Sequence, residues 1–110
     1  GTGQARREFL HVDDLASAAL YLMQNYNAEQ IVNVGTGIDI SIAEVARLMG
    51  EIVGFEGELA FDSSKPDGPP RKLLDVSSLG ELGWRYKIDL REGLAMTYAW
   101  YEQHVETARV

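Results

Sequence analysis

A basic, turn-rich segment contains the residues of this chain that are best suited to bind an anion. Residues 64–75 read Ser-Lys-Pro-Asp-Gly-Pro-Pro-Arg-Lys-Leu-Leu-Asp, so Lys65, Arg71 and Lys72 lie close in sequence to the carboxylate of Asp67. Proline and glycine disfavour a helix or a strand through most of this stretch. Cationic groups bind phosphate, and a carboxylate accepts hydrogen bonds from ribose hydroxyls or a guanine edge. Residues 64–72, the basic loop, are therefore predicted to bind a ligand.

A second basic segment lies near the start of the chain, where residues 6–14 read Arg-Arg-Glu-Phe-Leu-His-Val-Asp-Asp. The planar guanidinium of Arg7 matches the oxygens of a diphosphate. The alternative for Arg7 is a surface ion pair with Glu8 or Asp13. Arg6 points to the other face if this segment is extended, and we predict that it is solvated.

Composition excludes several classes of function. The chain has 110 residues and a formal charge of −7, which argues against broad binding to a nucleic-acid backbone. It has no cysteine and only two histidines, so a metal site is not expected. No apolar run is long enough to cross a bilayer, and we expect a soluble, cytoplasmic protein. The hydrophobic fraction of 45% predicts one domain with a modest core that buries roughly two-thirds of the unfolded surface.

Two further motifs suggest chemistry only weakly. Gly35-x-Gly37 resembles part of a dinucleotide fingerprint, but Ile40 stands where the third glycine is required. We therefore predict a tight turn and no cofactor contact. His11 with Asp13 and Asp14 resembles a catalytic pair that lacks a nucleophile. We predict instead that the histidine is packed against a carboxylate and that the aspartates cap a helix.

The hydrophobic pattern predicts an α/β arrangement that positions these groups. Leu15, Ala18, Ala19, Leu22 and Met23 have the spacing of one buried helical face. Ser41 and Glu44 form a capping-box pattern at the start of a second helix, and Gly54 ends that helix. The predicted elements are a strand or extended entry at 9–12, strands at 31–34 and 59–61, helices at 14–25, 42–53 and about 90–105, and a short helix between Asp75 and Gly83. Strand 31–34, helix 42–53 and strand 59–61 would form a βαβ unit.

The two basic segments together resemble the GDP-L-fucose synthases, a family of extended short-chain dehydrogenase/reductases, over essentially all 110 residues. The resemblance implies that this chain is the small C-terminal substrate-binding lobe of such an enzyme, a single domain spanning residues 1–110. Pro69 departs from the family pattern, where threonine is frequent, and this change stiffens the loop. The resemblance implies substrate contacts from Arg7, Asp67 and Lys72, with Arg71 and Lys65 as further candidates.

The resemblance also implies an activity for the whole enzyme. The family epimerises C3 and C5 of GDP-4-dehydro-6-deoxy-D-mannose and then reduces the C4 ketone with NADPH. NADP would be bound by an N-terminal Rossmann domain that this chain lacks, and the catalytic residues would lie there too. We expect a chain that binds GDP-sugar, is inactive alone, and belongs to a homodimer when complete. The alternatives are the substrate lobe of another nucleotide-sugar epimerase or dehydratase, a non-catalytic binding module, and a purely structural fragment.

Overall fold

Short strands and longer helices alternate along residues 1–108, the part of the chain that the computed structural model describes. The strands are β1 (Arg6–Glu8), β2 (Asp39–Ser41) and β3 (Arg71–Lys72), and the helices are α1 (Val12–Asn25), α2 (Ile42–Val53), α3 (Ser77–Glu81) and α4 (Leu90–His104). The sheet order is β2-β1-β3, with β1 antiparallel to β2 and parallel to β3. The α/β class and the four helices are confirmed.

The strands predicted at 31–34 and 59–61 are wrong, and so is the βαβ unit built from them. Residues 31–34 and 59–61 are not strands, and the first strand precedes the predicted 9–12 segment. An apolar run indicates burial, whereas a strand also needs a neighbouring backbone with which to form hydrogen bonds. Ile31 is 92% exposed, whereas Val32 and Val34 are half-buried against the core, so the run packs on one side without forming a strand. The sheet instead forms where two basic segments meet the turn before α2.

Helix ends follow local sequence closely. Ser41 accepts a hydrogen bond from the Glu44 backbone N–H at 3.2 Å, and the Glu44 carboxylate accepts one from the Ser41 N–H at 3.0 Å. This reciprocal capping box is confirmed, as is the end of α2 at Gly54, whose φ is +72°. Asp89 caps α4 by accepting from the Glu92 N–H at 2.8 Å.

The start of α1 corrects the prediction that its aspartates are caps. His11 is the N-cap, and its Nδ1 accepts from the Asp13 N–H at 3.1 Å. The His11 ring nitrogen lies 3.9 Å from the Asp13 carboxylate, so the predicted neighbouring carboxylate is present. Asp14 lies in the first turn of the helix and is buried. Its carboxylate accepts hydrogen bonds from the backbone N–H groups of Lys87 and Ile88 at 2.9–3.2 Å. It ties α1 to the segment before α4.

The core is smaller than the composition suggests. Ala18, Leu79 and Trp84 are its buried centre, and the Trp84 indole N–H donates to the Ser17 hydroxyl at 3.2 Å. The accessible surface is 8226 Å², against about 6,000 Å² for a compact monomer of this mass. The radius of gyration is 16.5 Å, against about 13 Å for a compact domain of this length. The expectation of two-thirds burial was therefore too high.

The buried side of α1 differs from the predicted one. Ala18 is fully buried and Leu22 half-buried, but Leu15 is 49% and Met23 81% exposed. The helix is apolar on two sides, and only one side packs on this chain's core. Within residues 1–108, no helix is long and apolar enough to cross a membrane.

Candidate functional site

The small sheet sorts the cations of the two basic segments onto two faces. In the parallel pair β1 and β3, Arg7 stands opposite Lys72 and Arg6 stands opposite Arg71. Because successive side chains of a strand point to opposite faces, Arg7 and Lys72 share one face. We call it the open face, and the face with Arg6 and Arg71 the paired face. The two segments are separated by most of the chain, so only the fold brings these four cations together.

The Arg7 side chain connects the first strand to the basic loop by hydrogen bonds. One terminal nitrogen donates to the Arg6 carbonyl at 2.6 Å and to the Pro69 carbonyl at 2.9 Å, and the other lies 3.5 Å from the Asp67 carbonyl. These bonds use three of the five N–H donors of the guanidinium. The proposed ion pairs of Arg7 with Glu8 or Asp13 do not form. The positive charge therefore remains without a carboxylate partner within residues 1–108.

Lys72 and Lys65 are the other uncompensated cations of the loop. Both are exposed, and neither forms an ion pair with any residue of the described range 1–108. Like charges directly opposite each other on neighbouring strands are destabilising. A bound anion would relieve the repulsion between Arg7 and Lys72, which makes the open face suited to phosphate.

Asp67 lies beside Arg7 on a cleft of about 410 Å³, lined by residues that include Gly3, Ala5, Arg7, Phe61, Pro66 and Asp67. Its carboxylate accepts hydrogen bonds from the Thr2 N–H and the Thr2 hydroxyl, each at 2.6 Å. The Thr2 hydroxyl and then the Thr2 N–H lower the pKa of Asp67. The carboxylate is thus held ionised and exposed at the cleft, with acceptor capacity left for a ligand donor.

On the paired face, both arginines bind one carboxylate, and Arg6 also lies 3.9 Å from the Glu44 carboxylate. Asp39 accepts from the Arg71 Nε on one oxygen and from the Arg6 Nε at 3.0 Å on the other. Its side chain is only 4% exposed. The Arg71 hydrogen bond and then the Arg6 hydrogen bond lower the pKa of Asp39 against the opposing effect of desolvation. Arg6 is exposed on the face away from Arg7, as predicted, and it also forms this ion pair, which the sequence did not predict. Whether Arg71 contacts a ligand stays a prediction.

Glu8 is a residue that the sequence reasoning missed. Its carboxylate accepts from the Gly37 N–H at 2.6 Å and from the Leu74 N–H at 3.1 Å. It thereby joins the Gly35–Gly37 turn to the end of the basic loop. A glutamate between Arg7 and an apolar run gives no sequence signal of this role, because both of its partners are backbone groups far along the chain.

The position of Glu8 also bears on the dinucleotide motif. The Gly37 N–H that would face a pyrophosphate donates to this carboxylate. A Cβ at Gly35 would come within 2.5 Å of the Glu8 carboxylate oxygen. A negatively charged side chain fills the turn, so these residues do not fit a cofactor pyrophosphate. In the described part of the chain, no cluster of His, Asp or Glu has the arrangement of a metal site.

The chain matches known proteins over nearly all of its length. Residues 1–35 match the model of the NAD dependent epimerase/dehydratase family. The chain is 54% identical over 109 residues to a probable GDP-L-fucose synthase 1 of Oryza sativa subsp. japonica, covering 99% of this chain and 33% of the relative. It is 44% identical over 118 residues to the GDP-L-fucose synthase of Escherichia coli K12, covering 99% and 37%.

Solved structures give the same result for the fold. A GDP-L-fucose synthetase from Naegleria fowleri bound to NADP superposes with a TM-score of 0.95 at 29% identity, covering 100% of this chain and 35% of that one. A GDP-6-OMe-4-keto-L-xylo-heptose reductase from C. jejuni gives 0.85 at 47% identity, covering 94% and 32%. The resemblance predicted from sequence is confirmed. In sequence and in fold, the chain corresponds to about one third of the length of GDP-L-fucose synthases and related sugar-nucleotide epimerases and reductases.

Proposed function

We propose that this chain is the substrate-binding part of a GDP-L-fucose synthase, and that it holds the diphosphate of a GDP-sugar between Arg7 and Lys72. The observation that carries the proposal is the open face, where Arg7 and Lys72 stand opposite each other and neither forms an ion pair with a carboxylate of residues 1–108. Identity of 54% and 44% to GDP-L-fucose synthases supports the choice of ligand.

Each residue of the site has a separate task in this proposal. Arg7 binds diphosphate oxygens with the donors that the loop carbonyls leave free, and Lys72 adds charge from the neighbouring strand. Asp67 accepts from the ribose or the guanine, and Lys65 lies at the outer edge of the loop. Holding the nucleotide in this way would fix the sugar in front of groups elsewhere in the enzyme, which lowers the entropic part of the barrier.

The reaction itself is assigned to the whole enzyme. It would epimerise C3 and C5 of GDP-4-dehydro-6-deoxy-D-mannose and reduce the C4 ketone with NADPH. NADP would supply the hydride from a Rossmann domain outside this chain, because the glycine turn here is filled by Glu8. We therefore expect no turnover by the 110-residue chain alone. A homodimer, implied by the resemblance, and a cytoplasmic location, expected from the composition, stay predictions.

The exposed apolar surface fits a chain that packs on the rest of such an enzyme. Val12 is 68% exposed on α1 and Trp100 54% exposed on α4, and both line a cleft of about 430 Å³. Exposed apolar patches of this kind mark contacts with other polypeptide. The chain spans about one third of the length of its curated relatives, so the remaining two thirds are the proposed neighbour.

An amide NMR titration of the chain with GDP, and separately with UDP, tests the proposal. We expect saturable shifts at Arg7 and in residues 65–72 that are larger for GDP at equal concentration. A chain that gives dispersed signals and no shift with either nucleotide would contradict it.

The second candidate is the substrate lobe of a UDP-sugar epimerase. A putative UDP-glucose 4-epimerase of Methanocaldococcus jannaschii is 34% identical over 107 residues, and the chain covers 34% of its length. The identity is lower than to the GDP-L-fucose synthases. Equal shifts with GDP and UDP would favour this candidate.

A further inference from the structure

We propose that Asp39 is a positioning residue for nucleotide binding, which turns Arg71 away from the ligand and so places Lys72 opposite Arg7. This inference rests on the proposed function. Asp39 comes from β2, whereas all the predicted ligand contacts come from β1, the basic loop and β3. Among the contacts of residues 1–108, the ion pair with Arg71 is the one that joins the Asp39 side chain to the loop.

The ion pair adds a side-chain restraint to the backbone pairing that orients β3. Lys72 follows Arg71 directly, so a strand that directs Arg71 to the paired face must direct Lys72 to the open face. β3 is only two residues long, and a strand so short has few ladder bonds to hold its orientation. The Asp39 carboxylate is the one side-chain group within residues 1–108 that bonds the Arg71 guanidinium.

Backbone register and other contacts also place the loop, and one of them lies just after β3, where the Leu74 N–H donates to the Glu8 carboxylate at 3.1 Å. The Arg6 N–H donates to the Pro70 carbonyl at 2.8 Å, and Arg7 donates to the Pro69 carbonyl at 2.9 Å. Both contacts hold the backbone just before β3. Rotation of the Arg71-Lys72 pair is limited by Asp39, whose side chain is nearly buried between the two arginines.

Charge alone and positioning predict opposite effects for Asp39→Asn. This substitution removes one negative charge near the basic loop and releases Arg71, so simple electrostatics predicts tighter binding of an anionic nucleotide. If Asp39 acts by positioning, binding becomes weaker even though the site becomes more positive. The basic loop of the variant would then have to become ordered when GDP binds. Because this ordering costs free energy, we expect the affinity for GDP to fall by about tenfold.

The experiment measures GDP affinity by isothermal titration for the 110-residue chain and for Asp39→Asn. Glu51→Gln is the matched control, because it makes the same charge change at an exposed carboxylate that pairs with Arg91 at 2.8 Å. The expected result is about tenfold weaker binding for Asp39→Asn and a change of less than about twofold for the control. Unchanged or tighter binding by Asp39→Asn overturns the positioning role and leaves the proposed function intact.

A second variant and a second readout keep the test decisive. Arg71→Lys retains the charge but loses the Nε donor, so it should weaken binding to the same degree, and the double variant should be no weaker than either single one. If the parent chain does not bind GDP, the proposed function is contradicted, and amide exchange of the Arg6 N–H without ligand decides the positioning role. Faster exchange in Asp39→Asn supports it, and unchanged exchange overturns it.

Discussion

The two faces of the small sheet carry the same number of cations from the same two strands but have opposite electrostatic character. On the paired face, Arg6 and Arg71 share the nearly buried carboxylate of Asp39. On the open face, Arg7 and Lys72 have no acidic partner among residues 1–108. One carboxylate on a third strand binds both arginines of the first pair, and the second pair is the one that we propose to bind a ligand.

This difference shows why counting cations in a sequence identifies a site only in outline. Four of the basic residues lie in two adjacent doublets, Arg6-Arg7 and Arg71-Lys72. Within each doublet, the alternation of side chains along a strand places the two neighbours on opposite faces of the sheet. The residue beside a ligand contact is therefore its best internal control, because it has a similar charge and lies on the other face.

The largest effect is expected from Arg7→Ala, which removes the central cation of the open face. Loss of charge-assisted hydrogen bonds to the diphosphate, about 2 kcal/mol, should weaken GDP binding by about 30-fold. Arg6→Ala is the control, since it removes the same group from the paired face and should change affinity by less than about threefold. Isothermal titration measures both. Equal losses would contradict the division into two faces.

A smaller loss is expected from Lys72→Ala. The ammonium is exposed and acts partly through solvent, so we expect binding to weaken by about fivefold and the salt dependence of binding to become shallower. Lys87→Ala is the control, because Lys87 is an exposed lysine whose backbone N–H, not its side chain, contacts Asp14. Titrations at two ionic strengths measure the effect. An unchanged affinity would place Lys72 outside the ligand site.

The smallest effect is expected in the pH dependence of stability. The pKa of Asp39 is lowered in the folded chain, chiefly by Arg71. The contribution of ionised Asp39 to the stability of the folded chain is therefore complete above its unfolded pKa, about 3.9. That contribution is lost as the pH falls through the lower pKa of the folded state. Urea unfolding of the parent and of Asp39→Asn should differ at pH 6 and converge toward pH 3. A difference that does not change with pH would mean that the ion pair is not what Asp39 contributes.

Helices and their ends were predictable because their determinants are local. The Ser41 and Glu44 capping box, the glycine end of α2 and the Asp89 cap each depend on residues within one turn. The cap of α1 was misassigned because His11, an uncommon N-cap, precedes two aspartates that are common ones. The strands were not predictable, since a strand depends on a backbone partner that is distant in sequence.

The residues of the candidate site also fall into two groups, those that the sequence predicts and those whose role depends on distant partners. Residue type and a resemblance to a known family are enough to predict the candidate ligand contacts, which are Arg7, Asp67, Lys72, Arg71 and Lys65. Glu8 and Asp39 were missed, because their roles depend on partners more than twenty-five residues away. Nothing in the sequence near either carboxylate marks it as part of the site.

The sequence by itself determined the helices, the two ends of α2, the lack of cysteine in this chain and the set of cations available to an anion. The tertiary structure alone decided which cations remain uncompensated. Residue type sets charge and donor geometry, but pairing depends on which groups lie within a few ångströms of each other. That distance is set when β1 brings β2 and β3 to its two edges.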